Sequence, residues 1–401
     1  MVNGQGWFPP AGGFKVLLNL FPTILGVEIA PPFVAIRVHT LPPKPWPLTI
    51  GGLPVRFSTH TLTALEPLWD NGNYPTCGKG PRAMNDLDLQ LGQEFSQDII
   101  RRVMVFFQDA KIKFRSIFWF GSCWRVTLTD PVDLRVLPCT VGRQLVIYEL
   151  TSEIAYPVPS ASRNKVPQGV EFDNTLYASS PNALLRPGIM LGSSIVTVTA
   201  DGKTEELFKT TTSGILVANR HGDLFITVAT HGFENDGLVY HPDPRSGIVI
   251  GKISHSLPET DISFAKLNPG LRYINETFDS TKNPLGVRAN RISLSFPSDL
   301  RTYDTCSMNT PFSGRCDGHL LAAGEVIPAC GNAEHVPHMW LSFESGDEPV
   351  EGTCGSPIIR DNGDLVGFFR YKMEDSNYCY AVSALTLQEH GYEICGGERT
   401  F

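Results

Sequence analysis

The sequence predicts two structural classes in tandem: an α+β N-terminal domain over residues 1–156 and an all-β barrel or sandwich domain over residues 183–396. A linker at 157–182 joins them. Three observations carry this reading. The 401 residues hold 37 glycines and 31 prolines, an excess that favours turns and short strands over long helices. One clear helical period lies in the first half, near residues 93–110. Beyond residue 183, short apolar runs alternate with turn signals about every ten residues, the rhythm of a barrel or sandwich. The length corresponds to about two to three domains, and 42% hydrophobic with 18% charged residues excludes wholesale disorder. A net charge of −8 argues against a nucleic-acid-coating surface.

Ten prolines in the first 60 residues leave room only for short strands: Val27–Ile29, Phe33–His39, Leu48–Ile50 and Val55–Ser58. From Gln93 to Ala110 the pattern changes. Phe95, Ile99, Val103 and Phe107 recur every fourth residue with Ile100 and Phe106 beside them, which predicts an amphipathic helix. Alternation through Ile112, Phe114, Phe118 and Phe120, a Gly121-Ser122 break and a return from Trp124 to Leu128 predict a hairpin. The basic cluster Arg101, Arg102, Lys111, Lys113 and Arg115 reads as a solvated face, with a phosphate or nucleic-acid site as the alternative. Three prolines, two serines and an asparagine from Pro157 to Gln168 mark the linker. In the second half, Gly214–Ala218, Leu224–Ala229, Gly247–Ile253, Ile262–Leu267, Pro357–Arg360 and Leu365–Tyr371 read as strands, with Asp361-Asn362-Gly363 turning the last pair into a hairpin.

The opening MVNGQGWFPPAGGF lacks the order of a basic region, an apolar stretch and a small-residue cleavage site that marks export. Its most apolar stretch, Phe14–Val38, is broken by Lys15, Asn19, Pro22, Glu28, Pro31 and Pro32, so no membrane span is expected. Nine cysteines without CxxC pairs then read as reduced thiols in a cytoplasmic protein.

Chemistry concentrates at three places in one order. LFITVATHGF puts His231 where a strand gives way to a loop. TDISFAKL puts Asp261 at the head of an alternating strand, and EGTCGSPII puts Cys354 in a turn of small residues. Taken singly, these are a surface histidine, a turn aspartate and a small buried thiol. Together they are an imidazole, a carboxylate to orient it and a nucleophile on a glycine-rich turn. Glycines there free the backbone from Cβ clashes and let its amides face an incoming carbonyl.

In these stretches the chain resembles the chymotrypsin-like peptidases. Thr227-Val228-Ala229-Thr230-His231 matches the family's strand-ending histidine signature loosely. Asp261-Ile262-Ser263-Phe264 matches its acid, and Gly352-Thr353-Cys354-Gly355-Ser356-Pro357 its nucleophile turn. The intervals of 30 and 93 residues suit one six-stranded barrel carrying His and Asp and a second carrying the nucleophile. The resemblance spans residues 183–396, about half the chain, and implies an all-β chymotrypsin-like double β-barrel. It also implies an endopeptidase acting on a protein or peptide substrate, with the amides of Gly352 and Cys354 as oxyanion hole.

Two departures stand out. Cys354 occupies a position where most of the family carry serine, as in the viral 3C-like cysteine peptidases. Arg370 falls where a serine usually bonds the triad acid, so an inactive protease-fold binding protein is the rival reading. Ser356, two residues on, is the alternative nucleophile. By family position Glu348 lies on the pocket floor, with Asp347 and Glu351 beside it, which would select Lys or Arg. Phe368, Phe369 and Arg370 would line the substrate wall, and Gly367–Tyr371 lacks the histidine a 3C-like glutamine preference needs. Cys306, Cys316, Cys330, His335 and His338 lack the paired spacing of a zinc site, so no metal is expected. Without a phosphate-cradling glycine motif, no organic cofactor is expected either. No nucleic-acid or membrane partner is expected, and the N-terminal domain is the candidate surface for a protein partner.

Overall fold

The structure, a computed structural model, describes residues 11–30, 33–40, 42, 47, 49–50, 53–58, 76–87, 95–120, 123–151, 173–178, 184–198, 204–233, 237–278, 288–292, 295–296, 304–327, 335–343, 349–372 and 378–401. Most of the expected linker lies outside these residues. The chain is mostly β, with few helices. None of its described helices is long and apolar enough to cross a membrane. It divides into two compact units, one of residues 1–155, 295–303 and 322–327, the other of residues 156–294, 304–321 and 328–401. The first unit therefore takes in two late segments that a division at a single linker does not assign to it.

In the first unit, helix α1 (Ala11–Leu20) precedes strands Ile24–Ala30, Phe33–Val38, Thr49–Ile50 and Leu53–Ser58, which share one sheet. Leu17 and Phe21 are buried with Ile24, Val27, Val34, Ile36 and Val38. Helix α2 (Gln97–Asp109) starts four residues later than its sequence period suggests. Its buried stripe is Ile100, Val103, Met104 and Phe107, so the apolar face is rotated from the expected one and Ile99 and Phe106 are only half-buried. The Phe107 ring meets Phe114 at 6.0 Å and Tyr148 at 6.3 Å. Strands Phe114–Trp119 and Cys123–Leu128 pair antiparallel, as their alternation predicts. The basic cluster is largely engaged: Arg101 faces Glu325, Arg102 faces Asp86 and Lys113 faces Asp130.

Two closed barrels make up most of the second unit, with residues 322–326 of one strand counted in the first. In the first, β1 (Met190–Val198) pairs with β2 (Thr204–Thr212), which runs on through Ser213–Ile215 into β3 (Leu216–Ala218) as one bent wall. β3 pairs with β4 (Leu224–Ala229), β4 with β7 (Ile262–Leu267), β7 with β6 (Ile248–Leu257) and β6 with β5 (Leu238–His241). A bridge from Gly192 to Tyr240 returns to β1 and closes six walls. The second barrel comprises β8 (Asp304–Thr310), β9 (Gly314–Val326), β10 (Val336–Phe343), β11 (Pro357–Arg360), β12 (Asp364–Lys372) and β13 (Tyr378–Ser383). They run β8-β9-β10-β13-β12-β11 and close from β11 to β8. Both barrels thus order their six walls 1-2-3-6-5-4. Gly363, at φ +85°, and the Asp364 N–H bonded to Asn362 Oδ1 at 2.9 Å form the expected β11–β12 turn.

Alternation along the strands builds two cores at once. Leu216, Ile226, Val228, Ala265 and Leu267 fill the first barrel with Leu191, Val239 and Ile250. Ile215, Val217, Phe225, Ile262 and Phe264 point the other way and meet Ile359, Leu365, Phe368 and Val382 of the second barrel. That shared apolar seam fixes the two barrels' loops against each other. The site lies on it.

Candidate active site

The β4–β7 register sets the first two side chains. Ala229 pairs with Ile262, so the residues just beyond, Thr230-His231 and Asp261, emerge at one end of the sheet. The Thr230 N–H donates to the Asp261 carbonyl at 3.0 Å, and the His231 N–H donates to Asp261 Oδ1, also at 3.0 Å. His231 Nδ1 donates to Asp261 Oδ2 at 2.7 Å. Asp261 holds a left-handed backbone, φ +60°, an uncommon conformation that these bonds keep in place. His231 and Asp261 side chains are 19% and 10% exposed, which strengthens their attraction. Lys209 Nζ donates to the His231 carbonyl at 3.1 Å and Ser193 Oγ to the Gly232 carbonyl at 2.6 Å, pinning the histidine's single turn of 3₁₀ helix.

The nucleophile turn comes from the second barrel and is fastened to the first. The Cys354 carbonyl accepts from Thr211 Oγ1 at 2.5 Å and from the Thr212 N–H at 3.1 Å, and the Gly352 carbonyl accepts from Thr212 Oγ1 at 2.9 Å. Two glycines are required here. Gly352 sits at φ +92° with Phe312 only 2.5 Å from where a Cβ would stand. Gly355, at φ +89°, would set a Cβ 2.8 Å from the Thr212 carbonyl oxygen. Half-buried Cys354 donates its thiol to the Arg370 carbonyl at 2.9 Å, and its sulfur is near enough to the His231 imidazole to act on its charge. Among the described residues, the N–H groups of Gly352 and Cys354 donate to no acceptor. They remain available to a substrate oxygen.

Burial alone disfavours a charged imidazole, but the bond it donates to Asp261 and the nearness of Cys354 and the Asp261 charge override it. His231 is pushed up to about 10. The site therefore favours an imidazolium between a carboxylate and a sulfur at neutral pH.

His231, Asp261, Cys354, Gly352 and Arg370 are brought together. Glu348 and Asp347 lie outside the described residues, and Glu351 is exposed. Phe368 is buried in the seam core and Phe369 against Phe343, so neither ring stands open to solvent as a substrate wall does. Ser356 is fully buried and donates to the Thr353 carbonyl at 2.7 Å, a turn-locking bond rather than a nucleophile's position. Cys330 lies outside the described residues, and His338 is engaged beneath Arg370. Among the described residues no three His, Cys, Asp or Glu side chains cluster as metal ligands.

Sequence reasoning missed Thr211, Thr212 and Lys209, and named His338 only among residues weighed as a zinc site. The first two had a signal, because Thr210-Thr211-Thr212-Ser213 is a polar run inside a barrel wall. Lys209 acts through a contact distant in sequence and had none.

No protein-family model and no curated protein matches the sequence. Among solved structures the chain is similar to a Nocardiopsis protease, at 13% identity over 53% of this chain and 99% of that one, with a TM-score of 0.37. It is also similar to a protease of M. tuberculosis in its active form, at 11% identity over 55% and 90% with a TM-score of 0.31. A third similar structure is a human pathogenic astrovirus serine protease, at 14% identity over 49% and 88% with a TM-score of 0.26.

Proposed function

We propose that the second unit is an endopeptidase that hydrolyses peptide bonds through Cys354, His231 and Asp261. The observation that carries this reading is the position of the His231 imidazole, bonded to the nearly buried Asp261 carboxylate and standing near the Cys354 sulfur, with two amides of the nucleophile turn that donate to no described acceptor. In this reading the sulfur, as thiolate, attacks the scissile carbonyl carbon. The carbonyl π electrons move onto oxygen, which the Gly352 and Cys354 N–H groups stabilise. As the intermediate collapses, the C–N bond breaks and the His231 imidazolium gives its proton to the leaving amine, leaving a thioester. Neutral His231 then takes a proton from water as it attacks the thioester, and the Cys354 thiolate departs. Asp261 keeps the imidazole in register and stabilises its charged form.

Digestion of a random peptide library by the full chain tests the proposal. Cleavage that disappears in both Cys354→Ala and His231→Ala supports it. Cleavage that survives in Cys354→Ala overturns it, and a folded wild type that cleaves nothing favours the binding-protein reading.

A further inference from the structure

We infer that Arg370 is a positioning residue that anchors the Asp261 carboxylate and couples it to the nucleophile strand. This rests on the proposed peptidase site and adds to it a fourth side chain. Register gives the first reason. β12 pairs with β13 through Phe369 and Ala381, then through Tyr371 and Tyr380, and the shift between them leaves Arg370 without a cross-strand partner. A bulge of this kind re-aims a side chain, and bulges concentrate beside active sites.

The re-aimed guanidinium reaches the triad acid. Arg370 Nε stands 3.9 Å from Asp261 Oδ2, the same oxygen that accepts from His231 Nδ1. Nε has no hydrogen-bond partner among the described residues, and its side chain is only 23% exposed. At the other end of the guanidinium, an Nη lies 3.4 Å from His338 Nε2. His338 Nδ1 bonds the Val336 carbonyl at 2.8 Å, and a carbonyl only accepts, so Nδ1 carries the proton and Nε2 is left to accept from Arg370. His338 is buried and stacks on Tyr380 at 4.7 Å, which holds that end of the fork in place. The main chain of Arg370 closes the arrangement, because its carbonyl receives the Cys354 thiol at 2.9 Å. One residue thus touches the nucleophile through its backbone and faces the acid through its side chain.

The chemistry follows from charge. Asp261 serves two cations through one oxygen. The guanidinium attracts the carboxylate at the oxygen that His231 bonds and opposes the second positive charge on the imidazole. An imidazolium so restrained gives its proton to a leaving amine more readily than one that owns the carboxylate alone. The charged and titratable groups around the guanidinium are Asp261 ahead of β7, His338 on β10, Cys354 and Tyr380 on β13, with His231 beyond the carboxylate.

The test is the pH dependence of peptide hydrolysis by the full chain, with kcat and KM separated, for wild type, Arg370→Gln and Arg370→Lys. Arg370→Gln is expected to lower kcat about ten-fold, the effect of about one pH unit's worth of altered electrostatics, with KM changed less than about three-fold. Its basic limb is expected to move to higher pH, and Arg370→Lys to recover part of both changes. Intact folding of each variant is read from its thermal transition. Should Arg370→Gln fail to fold, Arg370→Lys alone decides, since charge without the planar fork still predicts a smaller kcat loss and a smaller shift. A folded variant with an unmoved or acid-shifted basic limb overturns the inference alone. A wild type whose hydrolysis does not depend on Cys354 overturns the proposed function and this inference with it.

Discussion

Thr212 Oγ1, from the first barrel, donates to the carbonyl of Gly352 in the second barrel at 2.9 Å. This bond joins the wall beside the His231 turn to the turn that presents Cys354. Thr212 is fully buried, so its hydroxyl has no solvent to replace that acceptor. Thr212→Val keeps the shape and removes the donor. The variant is expected to lose about 1–3 kcal/mol of stability in urea denaturation, the cost of leaving a buried carbonyl unpaired. Its kcat is expected to fall with KM little changed, because the bond holds the turn that presents the Gly352 and Cys354 N–H groups. An unaltered kcat would detach this contact from the site.

Cys354→Ser probes how closely the site is matched to sulfur. A hydroxyl needs a neutral imidazole to take its proton, whereas His231 is held as imidazolium well above neutral pH. The serine variant is expected to lose at least about a hundred-fold in kcat/KM at pH 7, and Cys354→Ala several powers of ten. A serine variant faster than wild type contradicts the imidazolium assignment.

The raised His231 also predicts how stability varies with pH. Its folded value, about 10, stands above the ordinary value of about 6.5 in an unfolded chain. The stabilisation from its partners is therefore complete below about pH 6.5 and is lost as pH rises through about 10. Asp261→Asn keeps an acceptor for the His231 N–H and removes the charge. Denaturation at pH 6, 8 and 10 is expected to show the largest deficit of this variant at pH 6 and the smallest at pH 10. A deficit that grows with pH contradicts this linkage.

The resemblance in the nucleophile turn makes Glu348 the proposed determinant of substrate choice at the cleaved residue. Profiling a peptide library is expected to show a preference for Lys or Arg before the cleaved bond, lost in Glu348→Gln. An aromatic or glutamine preference removes Glu348 from the pocket.

Much of the fold and site was legible in the sequence because it depends on local pattern. The two-residue period of Leu224–Ala229 and Ile262–Leu267 fixed them as strands, and their ends named His231 and Asp261. Glycines at 352 and 355 marked a turn that only a left-handed backbone can make. What escaped depends on contacts between distant residues. The turn of α2 that buries Met104 and leaves Ile99 half-buried is decided by Phe114 and Tyr148, not by the helix. Phe368 reads as a surface candidate one residue from Phe369, yet the β12–β13 register sends it into the seam. His338 stood out only in a zinc-like set, since its contact with Arg370 arises from a bulge 32 residues away.

The central claim is that His231 activates Cys354, and the rate at which iodoacetamide alkylates Cys354 tests it most directly. Peptide mapping of the full chain between pH 5 and 9 is expected to find Cys354 modified faster than every other cysteine. In His231→Ala the rate at pH 6 is expected to fall at least about ten-fold and to climb with pH as an ordinary thiol does. Alkylation of Cys354 that is slow in wild type, or unchanged by His231→Ala, would contradict the account.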